Sequence, residues 1–196
     1  MIDSHVIKTI TDKIHKHHQL YRFPLKAELW EDIFDQTING GSIRWNMGSH
    51  TVGADVISKE GIRFQLKGGM IDVKKDSIQW SGSRTTQYKT IEEKIDFISG
   101  NHCDMYAMLA RNKKEWDRGL QKYYLLTFQA NLIDYTKLNW TEKEEGWSGV
   151  NIELNYSAGI QKSMSHQLWT KAKLSYLGKP EIITVTNDTE FFEYQK

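Results

Sequence analysis

The chain is short of cysteine, proline and net charge, and each shortage narrows what it can be. Cys103 is the single cysteine in 196 residues. One thiol closes no internal disulfide, so the expectation is a reducing, cytoplasmic setting with Cys103 buried as a small hydrophobe. Only two prolines, with 39% hydrophobic and 26% charged residues, exclude a disordered chain. No apolar run is long enough to cross a bilayer, and Met1-Ile2-Asp3-Ser4-His5 lacks the charged-then-apolar pattern of a secretory signal, so no membrane association is expected. The net charge of +1 does not announce a nucleic-acid binder. Nor does it exclude one, because a metal-dependent nuclease keeps acids at its centre and bases around its rim.

What the chain does have is length for one good core, and seven tryptophans and nine tyrosines to fill or decorate it. Ile2, Val6, Ile10 and Ile14 recur at helical spacing over residues 2–20, with His15, His17 and His18 read as part of a solvated basic face. A second helix is predicted over 25–38, started by Pro24 and stopped by Asn39-Gly40-Gly41. At about 100° per residue, Glu28, Asp32 and Asp35 fall towards water and Glu31 falls at the margin of the apolar side.

Gly53-Ala54-Asp55-Val56 and Gly61-Ile62-Arg63-Phe64-Gln65-Leu66-Lys67-Gly68-Gly69 read as two strands joined by a turn at Ser58-Lys59-Glu60. Alternation sends Ile62, Phe64 and Leu66 to a core face and Arg63, Gln65 and Lys67 to the other. With Asp55 on the neighbouring strand, an acid, an amide oxygen and an ammonium group gather at one sheet edge. Further strand is expected from Met70 to Trp80, then a polar loop at 81–86. Thr90-Ile91-Glu92-Glu93 is a capping box that opens a helix through Ile95 and Ile98. Cys103–Ala110 and Tyr123–Phe128 are apolar runs of the kind found in strands buried on both faces. Helices between such strands argue for an α/β sandwich in a single domain over 1–196, with no repeat or linker. Beyond Ala130 the chain reads as charged and irregular, with a hydroxyl- and amide-rich loop at 160–169 and a last strand at 182–185.

The run Gly48–Val56 followed by Gln65-Leu66-Lys67-Gly68-Gly69 resembles the metal-binding hairpin of the PD-(D/E)xK nuclease superfamily, and within it the type II restriction endonucleases. The segments Arg84-Thr85-Thr86 and Ser163–Trp169 are also similar to sequences of such enzymes. The resemblance spans roughly residues 25–170, with motif-level weight in the hairpin alone. It implies a restriction-endonuclease-like core, a central mixed β-sheet flanked by α-helices. The catalytic core would then occupy about 25–130 and DNA-recognition elements about 81–86 and 131–172. It further implies Mg²⁺-dependent, site-specific hydrolysis of double-stranded DNA by a homodimer, Mn²⁺ being able to substitute, leaving 5′-phosphate and 3′-hydroxyl ends. Two departures stand out. Ala54 occupies the place of the motif proline, and Gln65 that of the second acid.

On this reading Asp55, Gln65 and the Leu66 backbone carbonyl hold the metal, Lys67 positions the attacking water, and Glu31, with Glu28 in reserve, supplies the missing acid. Arg84, Lys162, Ser163, Ser165 and Gln167 are the expected DNA contacts, with His50 either touching DNA or buttressing its turn. The rival expectations are a shape-reading repair or recombination nuclease of the same fold, a DNA-binding module in which Gln65 marks a decayed site, and an unrelated α/β protein.

Overall fold

Helix α1 spans Ser4–Leu20, with Asp3 at its N-cap accepting a hydrogen bond from the Val6 N–H, 2.8 Å away. Its apolar stripe buries Ile10 and Ile14 completely. Helix α2 spans Ala27–Asn39 and stops at Gly40, whose φ of 61° is the left-handed end that glycine tolerates. This computed structural model describes residues 2–40, 54–100, 102–117 and 121–185. The Gly48–Gly53 part of the motif, His50 and the acidic tail from 186 lie outside the described residues.

The strands are β1 (Val56–Ile57), β2 (Arg63–Asp72), β3 (Ser77–Arg84), β4 (Met105–Arg111), β5 (Lys122–Gln129), β6 (Asn139–Lys143), β7 (Gly146–Val150), β8 (Tyr156–Gln161), β9 (Gln167–Lys173) and β10 (Glu181–Thr184). They form one ten-stranded sheet in the order β10-β5-β4-β2-β3-β9-β8-β7-β6, with β1 paired to β2. The β2–β4 pair is parallel, and the crossover between them runs through β3 and helix α3 (Ile91–Ser99). The other pairs are antiparallel, so the sheet is mixed and the protein is α/β. Helix α4 (Lys113–Asp117) follows β4, and α5 (Leu174–Leu177) follows β9.

Alternation along the central strands sorts the core into two layers. On one face Trp30 and Phe34 of α2, with Ile10 and Ile14 of α1, pack on Val56, Phe64, Leu66, Ala107 and Leu125. On the other, Trp80, Met108, Ala110, Leu126 and Phe128 meet Ile133, Tyr135 and Leu138 from the chain after β5, with Ile91 and Ile98 of α3 against them. Among the described residues no helix is long and apolar enough to cross a membrane.

Four expectations change. The stretch 70–80 is not continuous strand, because a 3₁₀ turn at Val73–Lys75 and the left-handed Asp76 (φ 47°) fold it into the β2–β3 hairpin. Residues 139–173 are not irregular. They form four antiparallel strands whose tryptophans Trp140 and Trp147 pack on the core, a pattern masked by the surrounding charges. Ile62 precedes β2 and is 38% exposed, so the core face begins at Phe64. Nor are His17 and His18 a solvated face. His18 bonds the Tyr21 carbonyl and the Tyr123 hydroxyl, each at 3.0 Å, and His17 packs against Tyr21 and Phe23. Burial pushes both imidazoles below their usual range.

Candidate active site

The β1–β2 hairpin closes as its spacing suggests. Ser58 N–H donates to the Ile62 carbonyl and Gly61 N–H to that of Ser58, each at 2.9 Å, with Gly61 at φ 82° making the reversal. Val56 stands opposite Phe64 and both are buried in the same layer. One residue back, Asp55 therefore lies level with Gln65 on the opposite face, towards the layer that α3 covers.

The backbone of β2 explains why this spot is open. Asp55 N–H donates to the Phe64 carbonyl at 2.9 Å, so the peptide groups of Phe64 face β1. Two residues on, the N–H and C=O of Leu66 face the same edge. Strand β3 joins that edge only from Gly69, opposite Trp80. Strand β2 thus shares one edge between β1 at its start and β3 at its end, and a fork lies between them. Asp55 fills part of the fork: its Oδ2 accepts the Leu66 N–H at 2.6 Å and stands 3.6 Å from Lys67 Nζ. These two side chains are about three-quarters covered, at 25% and 22% exposure, enough to strengthen their attraction relative to a surface pair.

Gln65 and Tyr106 are register partners on β2 and β4. Both line a cavity of about 250 Å³ that crosses the fork to Gly82 and Ser83 and reaches His102 and Tyr135. Burial holds the Tyr106 hydroxyl well above its ordinary range, and burial likewise pushes Tyr135 up to about 12. Tyr135 is hydrogen-bonded to Tyr106 and, at 2.9 Å, to the Thr170 hydroxyl. Cys103 sits at the same wall. Burial raises its thiol to about 11 against the pull of the Lys67 ammonium, so it is a protonated, packed group as expected from the sequence. A larger cavity of about 740 Å³ lies near the start of β2, lined by Ile2, Ile38, Arg63 and Asp104 among others. None of Asp55, Gln65 and Lys67 lines it, so its size does not mark the chemistry. Arg63 and Asp104 form a two-pronged ion pair there, which holds the Asp104 carboxyl down at about 2.

The structure therefore brings Asp55, Gln65 and Lys67 together on one side of the sheet and aims the Leu66 carbonyl into the same gap. Glu31 and Glu28 belong to α2, whose buried Trp30 and Phe34 pack on the opposite face. Any reach from Glu31 to Asp55 runs around the short strand β1 rather than through the sheet. Among the described residues no three His, Cys, Asp or Glu side chains group as a metal cluster.

The expected recognition segments meet. Thr85 N–H and hydroxyl both donate to the His166 carbonyl, at 3.1 and 2.8 Å, and the Thr86 hydroxyl donates to the Ser165 carbonyl at 2.7 Å. Arg84 stands opposite Gln167 in the β3–β9 register, after a bulge that begins at Ser81. Ser163 and Ser165 are exposed in the turn between β8 and β9, with Ser165 at φ 55°. Lys162 is turned away, 2.9 Å from Glu142 and over the Trp147 ring at 4.9 Å.

Sequence reading missed Lys94. It is 0% exposed, and its ammonium donates to the Thr85 carbonyl at 2.7 Å and to the Tyr88 carbonyl, fastening the 85–88 loop from beneath. Desolvation lowers its pKa, and Trp147 lies 5.5 Å away. The signal was present: Lys94 falls at the i+3 position from Ile91 and i−4 from Ile98, on the inward stripe. No family model matches the chain, and no curated protein matches it by sequence.

Proposed function

We propose that the protein is a Mg²⁺-dependent endonuclease that hydrolyses phosphodiester bonds of double-stranded DNA at defined sites, in the manner of type II restriction enzymes. The observation that carries this reading is the fork, where Asp55, Gln65 and Lys67 converge with Lys67 Nζ 3.6 Å from Asp55. A mixed sheet with helices on both faces supports a restriction-endonuclease-like core, and the meeting of the 84–86 and 163–167 segments supports a reader of duplex sequence.

Asp55, the Gln65 amide oxygen and the Leu66 carbonyl are hard oxygen donors with one negative charge between them. That set fits a Mg²⁺ ion that keeps several of its waters, and Mn²⁺ equally. When bound, the ion supplies Lewis acidity and a water of lowered pKa. Lys67 does the rest of the electrostatic work. Its compact ammonium stabilises charge on the non-bridging phosphate oxygens and orients the attacking water, and Asp55 holds it in place. Water adds to phosphorus in line, the bond to the 3′-oxygen breaks, and that oxygen leaves with a proton. Glu31 is the residue that would add a second carboxylate around the β1 edge.

Incubating the protein with a long defined duplex and Mg²⁺ tests the proposal. Discrete fragments support a site-specific nuclease, a smear supports a shape-reading nuclease of the same fold, and intact DNA refutes both. A non-catalytic DNA-binding module is the second reading. It is favoured by one feature, that Asp55 Oδ2 is already engaged by Leu66 and Lys67.

A further inference from the structure

The β3-β9-β8-β7-β6 half of the sheet buries one face in the core, and its other face is half-buried to exposed, with Trp169 Nε1 buried there. Ile78, Trp80, Leu168, Ala158 and Ile160 point into the core. The alternate residues point the other way, to the side on which α1 and α2 cover β2, β4 and β5. Those helices stop short: Met70, opposite Gln79 on that side, is 49% exposed. Helices α3 and α5 pack on the other, core-facing side of the remaining strands.

The register gives this face in rows. Gln79, Lys171 and Ser157 form one, continued by Val150 and Asn139. Ser81, Trp169, Gly159, Ser148 and Thr141 form the next. The bulge after Ser81 returns Arg84 to the same side, in a row with Gln167 and Gln161 that ends near Lys143. Lys173 opposite Ser77 lies at the far end. The face thus carries Arg84, Lys143, Lys171 and Lys173, all exposed, amid hydroxyls and amides, with no acid from these five strands. The nearest acid in register, Asp72 on β2, is turned onto the Lys75 N–H at 3.3 Å.

We infer that this bare face docks the sugar–phosphate backbone of duplex DNA, as a sequence-independent contact continuous with the Arg84–Gln167 edge. The inference rests on the nuclease reading above and extends it to the side of the sheet opposite Asp55 and Lys67, with the Arg84–Gln167 edge as the route by which one duplex meets both. Charge complementarity selects the occupant: Arg84, Lys143 and Lys171, with Lys173 shared with Asp76, set an excess of positive charge on this face, in a chain whose net charge is +1, and that is an anion's surface. Strand spacing makes the face about 20 Å across, the span of about six phosphates on one strand of a duplex. Trp169 is its one aromatic ring, whereas single-strand readers stack successive bases on several.

The test compares the wild type with a Lys143→Ala/Lys171→Ala/Lys173→Ala triple variant. Fluorescence anisotropy follows a labelled duplex of random sequence, and the matching single strand, across a salt series with Ca²⁺ in place of Mg²⁺. The variant is expected to bind every duplex about tenfold more weakly at moderate salt. Its log–log salt slope should be smaller by about 0.9 for each lysine that met a phosphate. An unchanged affinity and slope, with the wild type binding duplex, overturns the docking face alone. Tighter, equally lysine-dependent binding of the single strand overturns the choice of duplex. A wild type that binds no DNA overturns this face and the nuclease reading together. Lysine-dependent binding with Asp55→Ala and Lys67→Ala cutting at the wild-type rate leaves the face standing and removes only the catalytic assignment.

Discussion

Asp55 Oδ2 serves two neighbours at once, the Leu66 N–H at 2.6 Å and the Lys67 ammonium at 3.6 Å. Charge and hydrogen bonding at this carboxylate can be separated by substitution. Asp55→Asn keeps an oxygen for Leu66 and removes the charge, so the fold should survive while Mg²⁺-dependent cleavage falls by about a hundredfold or more. Lys67→Ala should lose a similar factor. Single-turnover gels on saturating DNA check both, and wild-type rates in the two variants would sink the assignment.

Gln65→Glu places a second negative charge level with Asp55. Without metal the two carboxylates repel, costing about 1 kcal/mol and about 2 to 4 °C in thermal midpoint. With millimolar Mg²⁺ the deficit should shrink or reverse, because the site then offers two charged ligands. Thermal melts in EDTA and in Mg²⁺ measure this, and a midpoint difference insensitive to Mg²⁺ would place Gln65 away from any ion.

Lys94→Met keeps the length of the buried side chain and removes its charge. The carbonyls of Thr85 and Tyr88 then lose their donor, at an expected cost of about 2 to 4 kcal/mol. Urea denaturation reads the loss. A variant as stable as the wild type would mean that the 85–88 loop finds other partners.

Acid should weaken the fold through His18. Tyr21 accepts from its Nδ1–H, and Tyr123, which itself accepts the Leu25 N–H at 2.7 Å, donates to Nε2, so the network suits a neutral ring. The folded-state pKa lies below the usual 6.5, as it does for His17. Between the lowered value and 6.5 the unfolded chain binds more protons, so stability falls as pH drops through that window and levels off beneath it. His18→Gln should flatten the dependence in urea titrations run on both sides of 6.5. Parallel curves for variant and wild type would exclude His18 as a source.

The β1–β2 hairpin, helices α1, α2 and α3 and strands β4 and β5 were legible because each rests on local periodicity. Phe64 and Leu66 alternate with Gln65 and Lys67, and Gly40 supplies the left-handed residue that ends α2. The C-terminal strands were not legible. Glu142, Lys143, Glu144 and Glu145 crowd the β6–β7 turn and drown the inward signal of Trp140 and Trp147. The bare face was invisible for a related reason: Gln79, Lys171 and Ser157 are far apart in the chain and become one row only through the register. Lys94 escaped notice because its role depends on carbonyls delivered by a loop, which helix periodicity does not describe. Glu31 was read at the margin of its helix from periodicity alone, yet which sheet face that helix covers is a tertiary fact.

Strand β1 is only two residues long; besides its pairing with β2 it is held by the Asn39 side chain, which donates to the Ile57 carbonyl at 3.0 Å, and by Val56 packed under α2. The aspartate itself is tied to β2 by its N–H to the Phe64 carbonyl and by its carboxylate to the Leu66 N–H, so releasing it breaks those two bonds and leaves the β2–β4 ladder intact. On the proposed reading, an incoming phosphate and its counter-ion would compete for those same contacts, so loading the acid–amine couple would be a local exchange of partners that leaves the global fold undisturbed.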